Sequence, residues 1–175
     1  MRTYRYQQIE LNIVKTSRAR KHIKDLWDIL DVVGDIRKLA TETLIALYLN
    51  GDMGIIAKYV LAKGSSLGLD MSPVAMLQSA LLTQARGIIL VHNHPSGNPN
   101  PSAADIEATR FCYSAAGIFN ITLIDHVIVT RTKHYSMERN GHIAKCREAL
   151  QDLDKYRCAD IINGLFSECH QNPSR

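Results

Sequence analysis

The chain has 175 residues, of which 46% are hydrophobic and 22% charged, and this length supports one compact domain with a sizeable core. No apolar run approaches membrane-spanning length, and residues 1–6 lack the apolar core of a signal peptide, so we expect no membrane association and a cytoplasmic location. The net charge is +4, and residues 1–25 hold seven Lys or Arg against two acidic residues, a local excess of +5. This basic N-terminal region is a candidate for contact with DNA phosphates, although such regions are more often solvated surfaces.

The N-terminal 41 residues predict one strand and one helix. Between Tyr4 and Val14, apolar and polar residues alternate as in a half-buried strand. Ser17 then resembles the N-cap of an amphipathic helix, and Trp27 is expected in the core. The apolar positions of this helix have helical spacing: Ile23, Leu26, Trp27, Leu30 and Val33.

A β-hairpin and a helix are predicted next. Residues 42–50 indicate a strand that Glu42 opens, residues 51–54 a turn, and residues 55–62 the partner strand. Ser72 as N-cap and Pro73 at the first helical position predict a helix that continues to Leu82.

The most informative stretch runs from Gly87 to Asp105. Its first five residues are apolar and predict a buried strand, which ends in His92-Asn93-His94. Because side chains alternate along a strand, His92 and His94 share one face and can bind the same ion. A loop rich in Pro, Gly and Asn follows and leads to Ser102-Ala103-Ala104-Asp105 at the start of a helix.

Ser102 and Asp105 have two readings. Serine followed three residues later by an acid is close to a capping box, which satisfies the backbone N–H groups at a helix start. Two imidazole nitrogens and one carboxylate oxygen are also ligands that a protein often supplies to a catalytic zinc ion, with water as the fourth ligand. The combination of His92, His94 and Asp105 is more specific than any of its parts.

The rest of the chain predicts a helix from Ser102 to Gly117, a strand over residues 121–129, a short strand over residues 134–138 and a helix over residues 143–166. The four cysteines at 112, 146, 158 and 169 form no CxxC pair and are expected to be reduced and mostly buried.

The sequence contains the string His92-Asn93-His94-Pro95-Ser96-Gly97, and seven residues separate His94 from Ser102. Two more residues separate Ser102 from Asp105. These residues and spacings resemble the JAMM (MPN+) metalloprotease motif, in its bacterial RadC-type branch. The resemblance spans Glu42 to Gly141. It divides the chain into an N-terminal strand and helix of the same domain (1–41), a metal domain (42–141) and a C-terminal helical extension with a disordered end (142–175). It implies an α/β (α+β) fold, JAMM/MPN-like and cytidine-deaminase-like, with helices flanking a central, mostly antiparallel sheet. It also implies one Zn²⁺ per chain on His92, His94 and Asp105, Glu42 as general base, and Ser102 as donor to the oxyanion. Asp125-His126 matches the RadC pattern, and His126 is a candidate to support a ligand from behind.

The function that the resemblance implies is hydrolysis of a peptide or isopeptide bond by metal-activated water. A non-catalytic or DNA-associated interaction module on the same fold stays open as the alternative. A zinc deaminase would need a CxxC pair, which this sequence lacks. An HNH nuclease is suggested only by the spelling of His92-Asn93-His94, since that class is defined by dispersed residues.

Overall fold

The computed structural model describes residues 21–34, 36–64 and 73–153. Four α-helices and five strands follow one another in this part of the chain, and a 3-10 helix over Ile36–Lys38 comes before the first strand. The helices are α1 (Leu26–Val33), α2 (Pro73–Leu82), α3 (Ala103–Ile118) and α4 (His142–Leu153). The strands are β1 (Thr43–Leu49), β2 (Ile55–Lys63), β3 (Gly87–Asn93), β4 (Thr122–Val129) and β5 (His134–Ser136).

The strands form one sheet in the order β2-β1-β3-β4-β5. Three neighbouring pairs are antiparallel, and β3 and β4 are parallel because α3 crosses over between them. This confirms the predicted α/β fold with a central, mostly antiparallel sheet. The β1–β3 ladder pairs Leu44 with His92, so the start of β1 lies beside the end of β3.

Each face of the sheet carries its own apolar core, because the two central strands β1 and β3 are buried along their whole length. One face packs against α2 and α3 through residues such as Leu90, Met76 and Cys112. The other face packs against α1 through residues such as Ile45, Val91 and Ile29. The two sides of the sheet are therefore covered by different helices.

The helix predicted from Ser17 begins later than expected. Asp25 is the N-cap of α1 and accepts hydrogen bonds from the N–H groups of Trp27 and Asp28. Ile23 lies before the helix and donates its backbone N–H to Met53 O at 3.0 Å. Trp27 is 69% exposed, so the prediction that it belongs to the core is wrong. The rest of the predicted stripe is confirmed, because Ile23 and Val33 belong to the core and Leu26 and Leu30 pack against it, and Trp27 lies outside that stripe.

Several other predictions can be compared directly with the structure. The β1–β2 hairpin and the helix from Pro73 are confirmed, and so are buried thiols at Cys112 and Cys146, neither of which forms a disulfide. Some predictions lie outside the described residues: the strand over residues 4–14, the N-caps at Ser17 and Ser72, and the helix beyond residue 153. Among the helices of the described residues, none has the length and apolar character needed to cross a bilayer.

Candidate metal centre

The end of β3 places two histidines on the face that carries α3. His92 is the last β3 residue in the ladder with β1 and is 1% exposed. His94 follows the strand, and its backbone N–H donates to Val129 O at 2.9 Å, which keeps it beside the end of β4. The alternation of β3 thus brings both imidazoles to one side of the sheet, as the spacing predicts.

A tight turn separates this strand end from α3. Gly97 donates its N–H to His94 O at 3.1 Å and has φ +82°, a left-handed conformation that favours glycine. The chain then reaches Ser102, the N-cap of α3. The predicted capping box is present: Asp105 N–H donates to Ser102 Oγ at 3.2 Å, and Ser102 N–H donates to Asp105 Oδ2 at 2.7 Å.

Asp105 can cap the helix and serve as a metal ligand at the same time. Its Oδ2 accepts hydrogen bonds from the Ser102 N–H and, at 2.6 Å, from the Ser102 hydroxyl. Its Oδ1 lies 3.4 Å from His92 Nε2, and Oδ2 lies 3.5 Å from His94 Nε2. The capping box therefore orients the carboxylate toward both histidines, and one atom each from His92, His94 and Asp105 could hold a metal ion together.

Buried hydrogen bonds determine which nitrogen of His92 carries a proton. The Thr109 hydroxyl is 2.6 Å from Asp105 O, a carbonyl that can only accept, so it donates there and accepts from His126 Nδ1–H at 2.7 Å. Neutral His126 then has a bare Nε2, which accepts from His92 Nδ1–H at 2.8 Å. The Nε2 of neutral His92 is consequently a lone pair that faces the site.

His94 reaches the same state through a different contact. Its Nδ1–H donates to Asn98 O at 2.8 Å, which leaves Nε2 of the neutral ring as an acceptor. The Nε2 atoms of His92 and His94 are 2.7 Å apart. Two nitrogen lone pairs and a carboxylate at this separation repel one another unless a proton on His94 Nε2 or a metal ion lies among them.

The pKa directions fit this picture. Burial lowers the pKa of His92 to about 4, against the opposing charge of Asp105. Burial also holds the pKa of His126 well below its ordinary value. The hydrogen bond to Asp105 raises the pKa of His94. Burial alone would raise the pKa of Asp105, but the hydrogen bonds from His94 and Ser102 outweigh it and lower that pKa. His92 and His126 are thus neutral and Asp105 is ionised at neutral pH.

The donor set fits zinc. In a tetrahedral site with bonds of about 2.0–2.1 Å, ligand atoms are about 3.3–3.4 Å apart. His92 Nε2 lies 3.4 Å from Asp105 Oδ1 and His94 Nε2 lies 3.5 Å from Oδ2, and one atom from each of the three side chains lies within 4.8 Å of the others. The two Nε2 atoms are closer than the tetrahedral spacing and would separate slightly around an ion. Two imidazoles and one carboxylate leave one position of a tetrahedron for water or substrate, the pattern of catalytic rather than structural zinc.

Glu42 and Ser102 border the same cleft as the three ligands, a cavity of about 420 Å³. Glu42 immediately precedes β1 and is partly buried, and its charge contributes to the raised pKa of His94. The structure therefore brings together all five residues that the sequence predicts for the site. The catalytic roles of Glu42 and Ser102 stay predictions.

Two residues of the site were missed in the sequence. Thr109 lies four residues after Asp105, on the same side of α3, and this helical spacing was the available signal. Asn93 lies between the two histidines, and the alternation of β3 points it to the opposite face of the sheet. There its side chain contacts the segment that leads into β1.

Comparison with known proteins identifies the domain. A family model of the RadC-like JAB domain matches residues 22–142, more than half of the chain. A UPF0758 protein of Salinibacter ruber is 38% identical over 117 residues, which are 66% of this chain and 50% of that protein. The UPF0758 protein YsxA of Bacillus subtilis is 35% identical over 112 residues, 64% of this chain and 48% of that protein. A UPF0758 protein of Methanococcoides burtonii is 37% identical over 108 residues, 62% of this chain and 47% of that protein.

The chain spans about half the length of these curated relatives. The matched segment contains α1, the whole sheet, and the loop and helix start that carry the His-x-His and Asp105 positions. Fold, site geometry and family model agree, and the chain belongs to the RadC-like JAB domain family.

Proposed function

We propose that this domain is a zinc-dependent hydrolase that cleaves a peptide or isopeptide bond. The observation that carries the proposal is the convergence of two imidazole lone pairs and the Asp105 carboxylate on a cleft that Glu42 also borders. Such a cleft offers ligands for a metal ion and a carboxylate beside it to move protons. These are the two requirements of metal-assisted hydrolysis.

Zinc bound by His92, His94 and Asp105 would supply the Lewis acidity that makes water a nucleophile at neutral pH. Glu42 takes the proton of the attacking water and passes it to the leaving amine. General acid–base transfer of this kind contributes roughly 10²–10⁴-fold to a rate. His126 and Thr109 keep His92 in the tautomer whose Nε2 faces the cleft.

Ser102 is the proposed donor to the oxyanion, a contribution of roughly 2.7–4 kcal/mol for a well-placed group. Its hydroxyl donates to Asp105 Oδ2 in the structure, so it must change partner when an oxyanion forms. The Ser102 backbone N–H also donates to Oδ2 and stays in place during that change. Asp105 therefore keeps a hydrogen bond while the hydroxyl turns to the substrate.

Carbonyl chemistry is favoured over phosphodiester cleavage. Many phosphodiesterases use two metal ions about 3.5–4 Å apart, which requires a second cluster of ligands. Among the described residues, His92, His94 and Asp105 form the one group of three side chains able to hold an ion. One ion, one general base and one oxyanion donor are sufficient for an amide.

The test is to incubate the zinc-loaded protein, a chelated sample and the Glu42→Gln variant with a diverse peptide library, with isopeptide-linked conjugates and with single- and double-stranded DNA. We expect peptide or isopeptide products from the zinc-loaded protein alone. Glu42-dependent DNA cleavage without peptide products would refute the proposal. Equal product yields from the Glu42→Gln and unmodified proteins would remove Glu42 from the mechanism.

DNA association without cleavage is a second candidate, favoured by the local excess of +5 over residues 1–25. Most of this region lies outside the described residues. Binding through phosphate contacts predicts an affinity for DNA that falls steeply as salt increases. DNA binding that does not change with salt would argue against this region as the contact.

A further inference from the structure

Asn93 is buried, at 1% exposure, although it lies between two residues that face the cleft. Its side chain points to the other face of the sheet and contacts the segment that leads into β1. Asn93 Oδ1 accepts the backbone N–H of Thr43 at 2.8 Å. Its Nδ2 donates to Thr41 O at 3.2 Å and to Leu39 O at 3.4 Å.

These contacts lie on both sides of Glu42. The hydrogen bond that Asn93 accepts comes from Thr43, the residue after Glu42. The shorter of the two that it donates goes to Thr41, the residue before Glu42. The backbone ladder between β1 and β3 ends at the pair Leu44 and His92, so the carboxamide of Asn93 continues the pairing for one more step. On the β2 side, Gly64 N–H donates to Glu42 O at 2.7 Å. The carbonyl of Glu42 is therefore held from the end of β2, and the backbone of its two neighbours is held from β3.

We propose that Asn93 is a positioning residue that sets the location of Glu42 relative to the metal ligands. This inference deepens the proposed function and rests on it. Asn93 is covalently linked to His92 and His94, so its hydrogen bonds connect the strand that carries two ligands to the segment that carries the general base. A displacement of about 1 Å in a reacting group can cost 10²-fold in rate, so this connection matters for catalysis.

The carboxamide is needed because it both donates and accepts at one site. Aspartate keeps the size and the acceptor but loses the donor to Thr41 O and places a charge in a buried position. Alanine loses both contacts and leaves the Thr43 N–H without a partner. Asn93→Asp and Asn93→Ala therefore test the same connection in two ways, and either one suffices if the other does not fold.

Asn50 is the matched control. It lies at the opposite end of β1 and also holds backbone with its side chain, since Oδ1 accepts the N–H groups of Asp52 and Gly54 at 3.1 and 2.8 Å. Asn50→Ala thus removes a comparable structural contact far from the cleft. A role of Asn93 in stability alone predicts the same outcome for both positions.

The experiment measures three quantities for each variant: zinc affinity, the kcat and KM of peptide cleavage, and the pseudocontact shift of the Glu42 carboxyl carbon in Co²⁺-substituted protein. We expect the Asn93 variants to keep zinc affinity within about threefold of the unmodified protein, to lose about 10–100-fold in kcat with little change in KM, and to shift the Glu42 signal. The Asn50→Ala variant should change none of these.

An unchanged Glu42 signal in a folded Asn93 variant would overturn the inference, and so would a loss of zinc affinity as large as the loss of rate. The pseudocontact shift does not depend on turnover. If the unmodified protein cleaves none of its substrates, the proposed function fails, while the Glu42 signal still decides whether Asn93 positions it.

Discussion

The two halves of the candidate site are held in place in different ways. His92 and Asp105 are fixed by side-chain hydrogen bonds that run through buried His126 and Thr109 and through the capping box of α3. Glu42 is partly buried, and the bonds that fix it act on its own backbone and its neighbours. The ligand half is thus held largely by side-chain contacts, whereas the contacts of the Glu42 half are to backbone. Under the proposed function, this leaves the Glu42 side chain able to move between water and leaving group.

The largest effect that the comparison predicts is on metal content. His92→Ala, His94→Ala and Asp105→Ala should each lose the bound zinc, because two protein ligands do not hold the ion as three do. Metal analysis of the purified variants measures this, against about one zinc per chain in the unmodified protein. His134→Ala, which changes a histidine on β5, is the control and should retain the metal. Full zinc retention in all three ligand variants would eliminate the site.

A smaller effect should follow from the buried support of His92. His126→Ala removes the acceptor for His92 Nδ1–H, and loss of such a supporting contact typically costs roughly 10–100-fold in metal affinity. Thr109→Val leaves the buried His126 Nδ1–H without its acceptor and should lower affinity less. Competition with a chelator measures both, and Thr122→Val at an exposed position of β4 is the control. If His126→Ala binds zinc as tightly as the unmodified protein, His92 needs no support from His126.

The smallest effect concerns pH. The pKa of His94 is raised by Asp105, so the metal-free protein carries a proton on His94 at pH values below that pKa, and zinc must displace it. Zinc affinity should therefore be constant above the His94 pKa and fall by about tenfold per pH unit below it. His92, with a pKa of about 4, adds a second proton only in more acidic solution. Zinc titrations between pH 5 and 8 measure the slope, and an affinity that does not change over this range would contradict the raised pKa.

The sequence predicted the ligand half well because its information is local. The two-residue alternation of β3 and the helix start at Ser102 each follow from short-range geometry, so His92, His94 and Asp105 were identified together. Glu42 lies fifty residues before His92, and only the resemblance to the RadC-type motif pointed to it. Asn93 was missed because its partners come from a segment about fifty residues away, which spacing alone does not pair. Thr109 has helical spacing from Asp105, but its second partner, His126, lies on another element.

The error at Trp27 has a local origin. Helical spacing from residue 23 to residue 33 placed Trp27 on an apolar stripe, but Asp25 begins the helix and Ile23 lies outside it. Ile23 still belongs to the core from its position before the helix, and Leu26, Leu30 and Val33 pack in the same cluster. Trp27 lies in the first turn of α1, outside the stripe that Ile29 and Val33 bury, and it is therefore exposed.

The most direct test of the central claim measures zinc content and peptide cleavage in the same sample of Glu42→Gln. Glutamine keeps the size of the side chain but cannot accept the proton, and Glu107→Gln on the exposed side of α3 is the matched control. If the halves have separate tasks, the variant should hold one zinc per chain with unmodified affinity while its cleavage rate falls by roughly 10²–10⁴-fold. A Glu42→Gln protein that binds zinc and cleaves at the unmodified rate would contradict the claim.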